Sequence, residues 1–111
     1  MPRLRIHLPR IMDGLTDSGA VSTVIGPAVL SQVNESVFYV TFSSGSSAGT
    51  VVVEGAPYDD YSGTWSNLAT VNFAAASRTH RVNATGVHLA LRLRITSAIT
   101  SGTVTGDYAG N

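Results

Sequence analysis

Hydrophobic and polar residues alternate with a period of two along most of the chain. The clearest example runs from Val87 to Thr96, where every second residue up to Ile95 is apolar. The intervening positions are small or polar and include Arg92 and Arg94. Because successive side chains of a β-strand point to opposite faces, this segment predicts a strand with one dry face and one wet, basic face.

The same alternation predicts further short strands, about eight in total, separated by glycine, proline and serine-rich turns. Short strands at this spacing are typical of an all-β protein. We therefore expect a single antiparallel domain, either a β-sandwich or a barrel. The serine- and glycine-rich run 43–49 is interpreted as a hairpin loop. Besides 87–96, the predicted strands are 3–8, 37–42, 50–54 and 68–73, with weaker ones at 21–25, 79–83 and 103–108.

The first 35 residues differ from the rest of the chain. They contain three of the four prolines and none of the large aromatic residues. The segment 26–35 is the best candidate for a helix, but we interpret it as a loop or an irregular strand. Residues 1–35 are expected either to supply the first strands of the sandwich or to form an arm that lies on a neighbouring subunit. Residues 36–111 are expected to form the sandwich core.

Composition narrows the classes of function. Of the 111 residues, 43% are hydrophobic and only 13% are charged, and the net charge is zero. A neutral chain has no broad attraction to nucleic acid, and no apolar run approaches the length of a membrane helix. No apolar N-terminal segment typical of a secretory signal is visible, so synthesis in a cytoplasm is expected. The absence of cysteine excludes disulfides and thiol chemistry.

No arrangement of residues indicates catalysis or a metal site. The string 45–49 matches the GxSxG pattern around Ser47, but that motif requires a strand-to-helix turn and a strand is predicted to follow. The three histidines, His7, His80 and His88, lack the spacing of metal ligands. We therefore predict a protein that is not an enzyme and that has no cofactor.

Two groups of residues are candidates for contacts with a partner. The first is basic. Arg92, Arg94 and His88 share one face of the longest predicted strand, and Arg3 and Arg5 occupy alternate positions of the first strand. All seven basic residues are arginine, a side chain that suits interfaces. These groups are expected either to pair with carboxylates of a neighbouring protein or to form a plain solvated face.

The second group is aromatic. Tyr58, Tyr61 and Trp65 lie in and beside the loop that follows Pro57. Amphipathic rings of this kind suit contact with a sugar or a protein partner. Trp65 also begins an alternating segment, which favours a place in the core.

The order of strands and turns between Phe38 and Tyr108 resembles small tailed-phage virion proteins of the jelly-roll or β-sandwich kind. Four segments carry the resemblance. They are GTVVVEG at 49–55, GTWSNLA at 63–69, VHLALRLRIT at 87–96 and SGTVT at 101–105.

Together with the alternation, this resemblance implies a single antiparallel β-sandwich of about eight strands, with a jelly roll as the expected topology. It also implies a capsid decoration, or cement, protein on the outer surface of a virion. Its partner would be the major capsid protein. It would be a homo-oligomer, with a trimer favoured and a dimer possible, and would bind the repeating lattice by avidity. No nucleic acid or membrane partner is expected. The alternative is a carbohydrate- or receptor-binding sandwich of a phage tail or fibre, using the aromatic loop.

Overall fold

The computed structural model describes residues 5–58, 60–84 and 90–111. This part of the chain contains seven strands and one short helix. The elements are β1 (Ile6–Leu15), α1 (Pro27–Leu30), β2 (Ser36–Phe42), β3 (Ala48–Ala56), β4 (Ser66–Asn72), β5 (Thr79–Ala84), β6 (Ala90–Thr100) and β7 (Val104–Gly110).

The strands form two antiparallel sheets packed face to face. The four-stranded sheet has the order β1-β7-β2-β5, and the three-stranded sheet has the order β4-β3-β6. Only β3 and β4 are neighbours both in the chain and in a sheet. The connections β2–β3, β4–β5, β5–β6 and β6–β7 cross from one sheet to the other, whereas β1 and β2 belong to the same sheet and are separated in it by β7. With segment 21–25 lying beside β6, this is the strand order of a jelly roll. The predicted all-β sandwich is confirmed.

The predicted strand at 21–25 is reduced to two isolated bridges, Val21 with Arg94 and Ile25 with Leu91. Between them the Ser22 hydroxyl accepts the Leu93 N–H at 2.9 Å, where a regular strand would offer a backbone carbonyl. A side chain thus replaces part of the ladder, which leaves seven strands in the described residues rather than eight. The segment nevertheless covers the outer edge of β6.

The interpretation of 26–35 as loop or irregular strand was wrong at its start. Pro27–Leu30 forms a single helical turn, with Pro27 at its beginning. Proline suits the first position of a helix because its missing N–H would have no helical partner there.

The segment 43–47 is not a hairpin loop, because β2 and β3 belong to different sheets. It carries the chain from one sheet to the other. Arg78 holds this crossing, since its Nη1 donates to the carbonyls of Ser43 at 3.0 Å and Ser46 at 3.4 Å. The sequence pattern shows a turn here but does not show which strand comes next in space.

The core lies between the sheets and is formed by the faces that the alternation predicts. Leu91, Leu93 and Ile95 of β6 are buried, as is the alternate set on β2. Gly106 of β7 lies where the sheets approach closely, because a Cβ at this position would contact the Leu93 side chain. The largest fully buried side chains are Tyr108, Phe38, Phe42, Met12, Ile25, Leu93, Ile95, Val40, Val51, Val53 and Val104.

The N-terminal region, described from residue 5, runs along the same sandwich. Strand β1 pairs with β7 of its own chain, and the Thr23 N–H donates to the Ile11 carbonyl at 2.8 Å. That bond joins β1 to the segment beside β6, so it links the two sheets along one side of the sandwich.

Candidate functional site

A carboxylate lies between two guanidinium groups on the outer face of the three-stranded sheet. The Nε of Arg92 donates to Glu54 Oε1 at 2.9 Å, and the Nε of Arg94 donates to Oε2 at 2.9 Å. Strand register explains the arrangement. Glu54 in the central strand β3 lies opposite Arg92 in β6, and Arg94 lies opposite Val52, two residues along β3. Each oxygen therefore receives one charge-assisted hydrogen bond.

Glu54 is only 3% exposed, although it lies on the face that points away from the core. The predicted wet face is therefore only partly wet. Ala90 on the same face is fully buried and Arg92 is mostly covered, because the connection between β3 and β4 folds over this part of the sheet.

Trp65 belongs to the connection that covers this part of the sheet. The guanidinium group of Arg92 stacks on its ring, with the guanidinium carbon 4.0 Å from the ring centroid. The indole Nε1 donates to the Tyr61 carbonyl at 3.1 Å, which satisfies the single polar group of the ring. Trp65 forms a small cluster with Ala56 and Ala90. The sequence favoured a place in the core for Trp65. The side chain is buried as expected, but it lies on the outer face of the three-stranded sheet rather than between the two sheets.

The two tyrosines of the loop pack against each other. Tyr58 and Tyr61 meet edge to face, with ring centroids 5.2 Å apart. Gly63 permits this fold, because a Cβ at that position would collide with the Tyr61 ring. Tyr58 is 49% exposed, so it is the ring of this loop that solvent and partners reach.

The predicted contact residues therefore separate into groups. Arg92, Arg94, Tyr61 and Trp65 come together on the outer face of the three-stranded sheet, with Tyr58 beside them. Arg5 lies elsewhere, in a cavity of the four-stranded sheet. Arg3 and His88 lie outside the described residues.

The charges within the group Arg92, Glu54 and Arg94 do not balance. One carboxylate serves two guanidinium groups, which leaves an excess of one positive charge. Arg94 carries the more accessible part of that charge, because its side chain is 37% exposed. Its bridge partner Val21 is also exposed. The arrangement is suited to accepting a carboxylate or a backbone carbonyl from another protein.

Ser47 of the GxSxG string and the histidine His80 both lie in contacts that belong to the fold. Ser47 Oγ donates to the Thr100 carbonyl at 3.4 Å, and β3 follows it rather than a helix. The rings of His80 and Phe42 meet edge to face, and His80 Nε2 is buried without a hydrogen-bond partner among the described residues.

Within 5–58, 60–84 and 90–111, no group of three potential metal ligands comes together. No helix in that part of the chain is long and apolar enough to cross a membrane.

One buried polar pair lies in the core. The Tyr108 hydroxyl and Ser36 Oγ are 2.8 Å apart, and Tyr108 has no exposed surface. Burial raises the pKa of the Tyr108 hydroxyl above its ordinary value of 10.0, and the hydrogen bond with Ser36 opposes part of that rise. The pair joins β2 to β7 in the middle of the four-stranded sheet.

Two features were missed by the sequence reasoning. One is the free edge of β4. The other is a cavity beside Tyr39 and Arg81 on the outer face of the four-stranded sheet. The alternation around Phe38 and Val82 already assigns Tyr39 and Arg81 to an outward face. Only the strand register places them opposite each other.

Comparison with known proteins provides information on the fold. No family model and no curated protein matches this chain. Its structure is similar to that of a protein of Bacillus endospore appendages, described as a novel family of disulfide-linked pili. The TM-score is 0.51 and the identity 15%, over 97% of this chain and 87% of the other. The present chain has no cysteine, so it cannot form disulfide links. At this identity, the likeness extends to the β-sandwich fold alone.

Proposed function

We propose that the protein is a non-catalytic structural subunit that binds neighbouring protein subunits in an ordered assembly. The proposed assembly is the outer surface of a phage capsid, where the protein acts as a decoration protein on the major capsid protein. The proposed form in solution is a homo-oligomer, with a trimer favoured over a dimer. The observation that carries the proposal is the free edge of strand β4.

Strand β4 pairs with β3 on one side and with no other described strand. Ser66–Asn72 contains neither a charged residue nor a proline. A register shift between Val53 and Glu54 bends the start of the pairing, while Ala69 and the residues after it pair regularly. An uncharged edge with free backbone N–H and C=O groups is a template for a strand of another protein.

The other outer strands have features that block such pairing. In β1 the backbone is irregular, with Arg10 at a φ of 52° and register shifts on both sides of Met12. Strand β5 carries Arg81, and segment 21–25 covers β6. Among the described strands, β4 therefore offers the least protected edge.

Side chains on the outer face of the same sheet add selectivity to the proposed interface. This face presents the exposed ring of Tyr58 and, on β6 across the central strand β3, Arg94 with its excess positive charge. The low charged fraction of the chain reduces the number of ions that association must desolvate. Several such weak contacts from one oligomer bind a repeating lattice by avidity.

A variant of β4 tests the proposal. Thr70 is exposed on β4, and Thr70→Lys introduces the charge that natural edge strands use against pairing. Ser31→Lys, an exposed substitution in the connection between α1 and β2, is the matched control. Solution mass by light scattering and co-sedimentation with purified phage capsids are measured for all three proteins.

We expect the wild type and Ser31→Lys to form a discrete oligomer and to sediment with capsids. Thr70→Lys is expected to shift towards the monomer and to lose capsid binding, with an unchanged circular dichroism spectrum. A wild-type monomer that ignores capsids would overturn the proposal. Fibres of the protein alone would support pairing at the edge but overturn the capsid as its setting.

The alternative predicted from the sequence, a sugar-binding module using the aromatic loop, has less support. Trp65 lies under Arg92 and offers no open ring face, and Tyr61 packs against Tyr58. We therefore do not assign ligand binding to this loop.

A further inference from the structure

A cavity of about 340 Å³ opens on the outer face of the four-stranded sheet. Val37 of β2 and Ala109 of β7 are paired residues that line it. Both are small and apolar, whereas the side chains around them are longer. This difference in size creates a depression on a face that would otherwise be flat.

The sides of the cavity are formed by residues from three strands. Tyr39 of β2 is 39% exposed and lies directly opposite Arg81 of β5. The other side of the cavity is lined by His7 of β1, which pairs with Ala109 of β7, and by Arg5, which directly precedes β1. An exposed aromatic ring and two guanidinium groups therefore border one cavity.

These charged groups are not neutralised by one another. Arg5, Arg81 and Glu35 line the cavity, and none of them forms an ion pair among the described residues. Two guanidinium groups and one side-chain carboxylate thus border the cavity without pairing. An anionic group of a ligand could pair with such a guanidinium group.

Asn111 also lines the cavity. Its backbone is fixed by hydrogen bonds with Asn34 and Glu35. These bonds hold the wall of the cavity next to Glu35.

We infer that this cavity binds an acidic monosaccharide. The sugar carboxylate pairs with the guanidinium group of Arg81, and the apolar face of the sugar ring packs on Tyr39, which lies opposite Arg81. Across the cavity, Arg5 donates hydrogen bonds to hydroxyl groups of the sugar and Glu35 accepts them. The volume lies at the small end of the range for ligand cavities, which fits one sugar unit rather than a chain. This site is separate from the β4 edge and does not depend on the proposed function.

The test is a titration of the isotope-labelled protein followed by amide NMR. The probes are glucuronate, glucose and acetate, which separate the acidic sugar from its two component chemistries. Glucuronate is expected to shift the amide signals of Val37, Tyr39 and Ala109 in a saturable manner. Glucose and acetate are each expected to bind at least about tenfold more weakly, since each lacks one set of contacts.

Variants locate the binding. Arg81→Gln removes the charge and leaves a shorter, neutral side chain that can still form hydrogen bonds, and it is expected to weaken glucuronate binding about tenfold. Arg10→Gln is the matched control, because Arg10 is an exposed arginine of β1 that does not line the cavity. Tyr39→Ala is expected to weaken glucuronate more than acetate. The spectrum of each free variant verifies its fold.

Three results would overturn the inference. The first is no saturable shift of the cavity signals by glucuronate. The second is equal affinity for glucuronate and acetate, which would leave no role for the sugar ring. The third is equal loss of affinity in Arg81→Gln and Arg10→Gln, which would show that binding lies elsewhere.

Discussion

The guanidinium group of Arg92 joins two different parts of the molecule. Its carbon lies 4.0 Å from the centroid of the Trp65 ring, and its Nε donates to Glu54 at 2.9 Å. One side chain therefore fastens the loop after β3 to the outer face of the three-stranded sheet. The loop in turn shields the ion pair from water, so the packing of the ring and the charge pairing support each other.

Replacing Trp65 is expected to release this loop. Trp65→Ala should lower the free energy of unfolding by about 3 kcal/mol, because it removes a buried ring and exposes the ion pair. Tyr58→Ala, in the same loop but at an exposed ring, should cost less than about 1 kcal/mol. Urea unfolding followed by circular dichroism measures both. Equal losses in the two variants would contradict the structural role of Trp65.

Removing the charge of Glu54 is expected to be costly. Glu54→Gln leaves Arg92 and Arg94 without their counter-charge in a covered position and should lower stability by about 3 kcal/mol. Glu35→Gln is the control, since Glu35 is exposed and unpaired among the described residues, and it should cost about 0.5 kcal/mol or less. Matching urea midpoints for the two variants would show that the ion pairs of Glu54 contribute little.

The buried hydroxyl of Tyr108 predicts a loss of stability in alkali. Its pKa is raised in the folded protein by burial, so only the neutral form suits the native state. The stabilising effect is fully present below the ordinary pKa of about 10 and is lost as pH rises through the higher folded value.

Tyr108→Phe tests this pH dependence. The variant should be less stable at neutral pH by about 1 kcal/mol, because the hydrogen bond with Ser36 is lost. It should also lose less stability than the wild type between neutral pH and strong alkali. Denaturant unfolding at a series of pH values measures the difference, and parallel curves for the two proteins would refute the assignment.

The sheet crossing at 43–47 depends on Arg78. Arg78→Ala removes two hydrogen bonds to backbone carbonyls and the contact of its guanidinium, 5.5 Å from the Phe73 ring centroid. A loss of about 2 kcal/mol is expected. Arg10→Ala, at an exposed arginine of β1, should change stability by about 0.5 kcal/mol or less. If thermal unfolding gave the same midpoint for both variants, the crossing would not depend on Arg78.

Much of the fold follows from local patterns. Alternation assigned Leu91, Leu93 and Ile95 to the core and predicted β2, β3, β4, β5 and β7 near their observed positions. Strand 21–25 was overestimated, because its alternation does not reveal that the Ser22 hydroxyl interrupts the ladder. The helical turn at Pro27 was missed, since four residues are too few to show a helical period.

The candidate site was predicted in part. Arg92, Arg94 and the aromatic loop were identified as noteworthy, but as separate groups facing a partner. In the structure, Arg92 and Arg94 both bind the Glu54 carboxylate, a contact that the sequence pattern did not predict. That connection spans 38 residues between Glu54 and Arg92, and no local pattern carries such information.

The sequence by itself determined where most of the strands lie and which of their faces are apolar, because alternation is a property of neighbouring residues; β1 was predicted at 3–8 and extends over Ile6–Leu15. Only the tertiary structure decided which strands become neighbours. It thereby placed Arg92 against Glu54, Tyr39 against Arg81, and left β4 at an edge. These relationships arise from the packing of distant segments, and their energies depend on burial and register that exist only after the sheets have closed on each other.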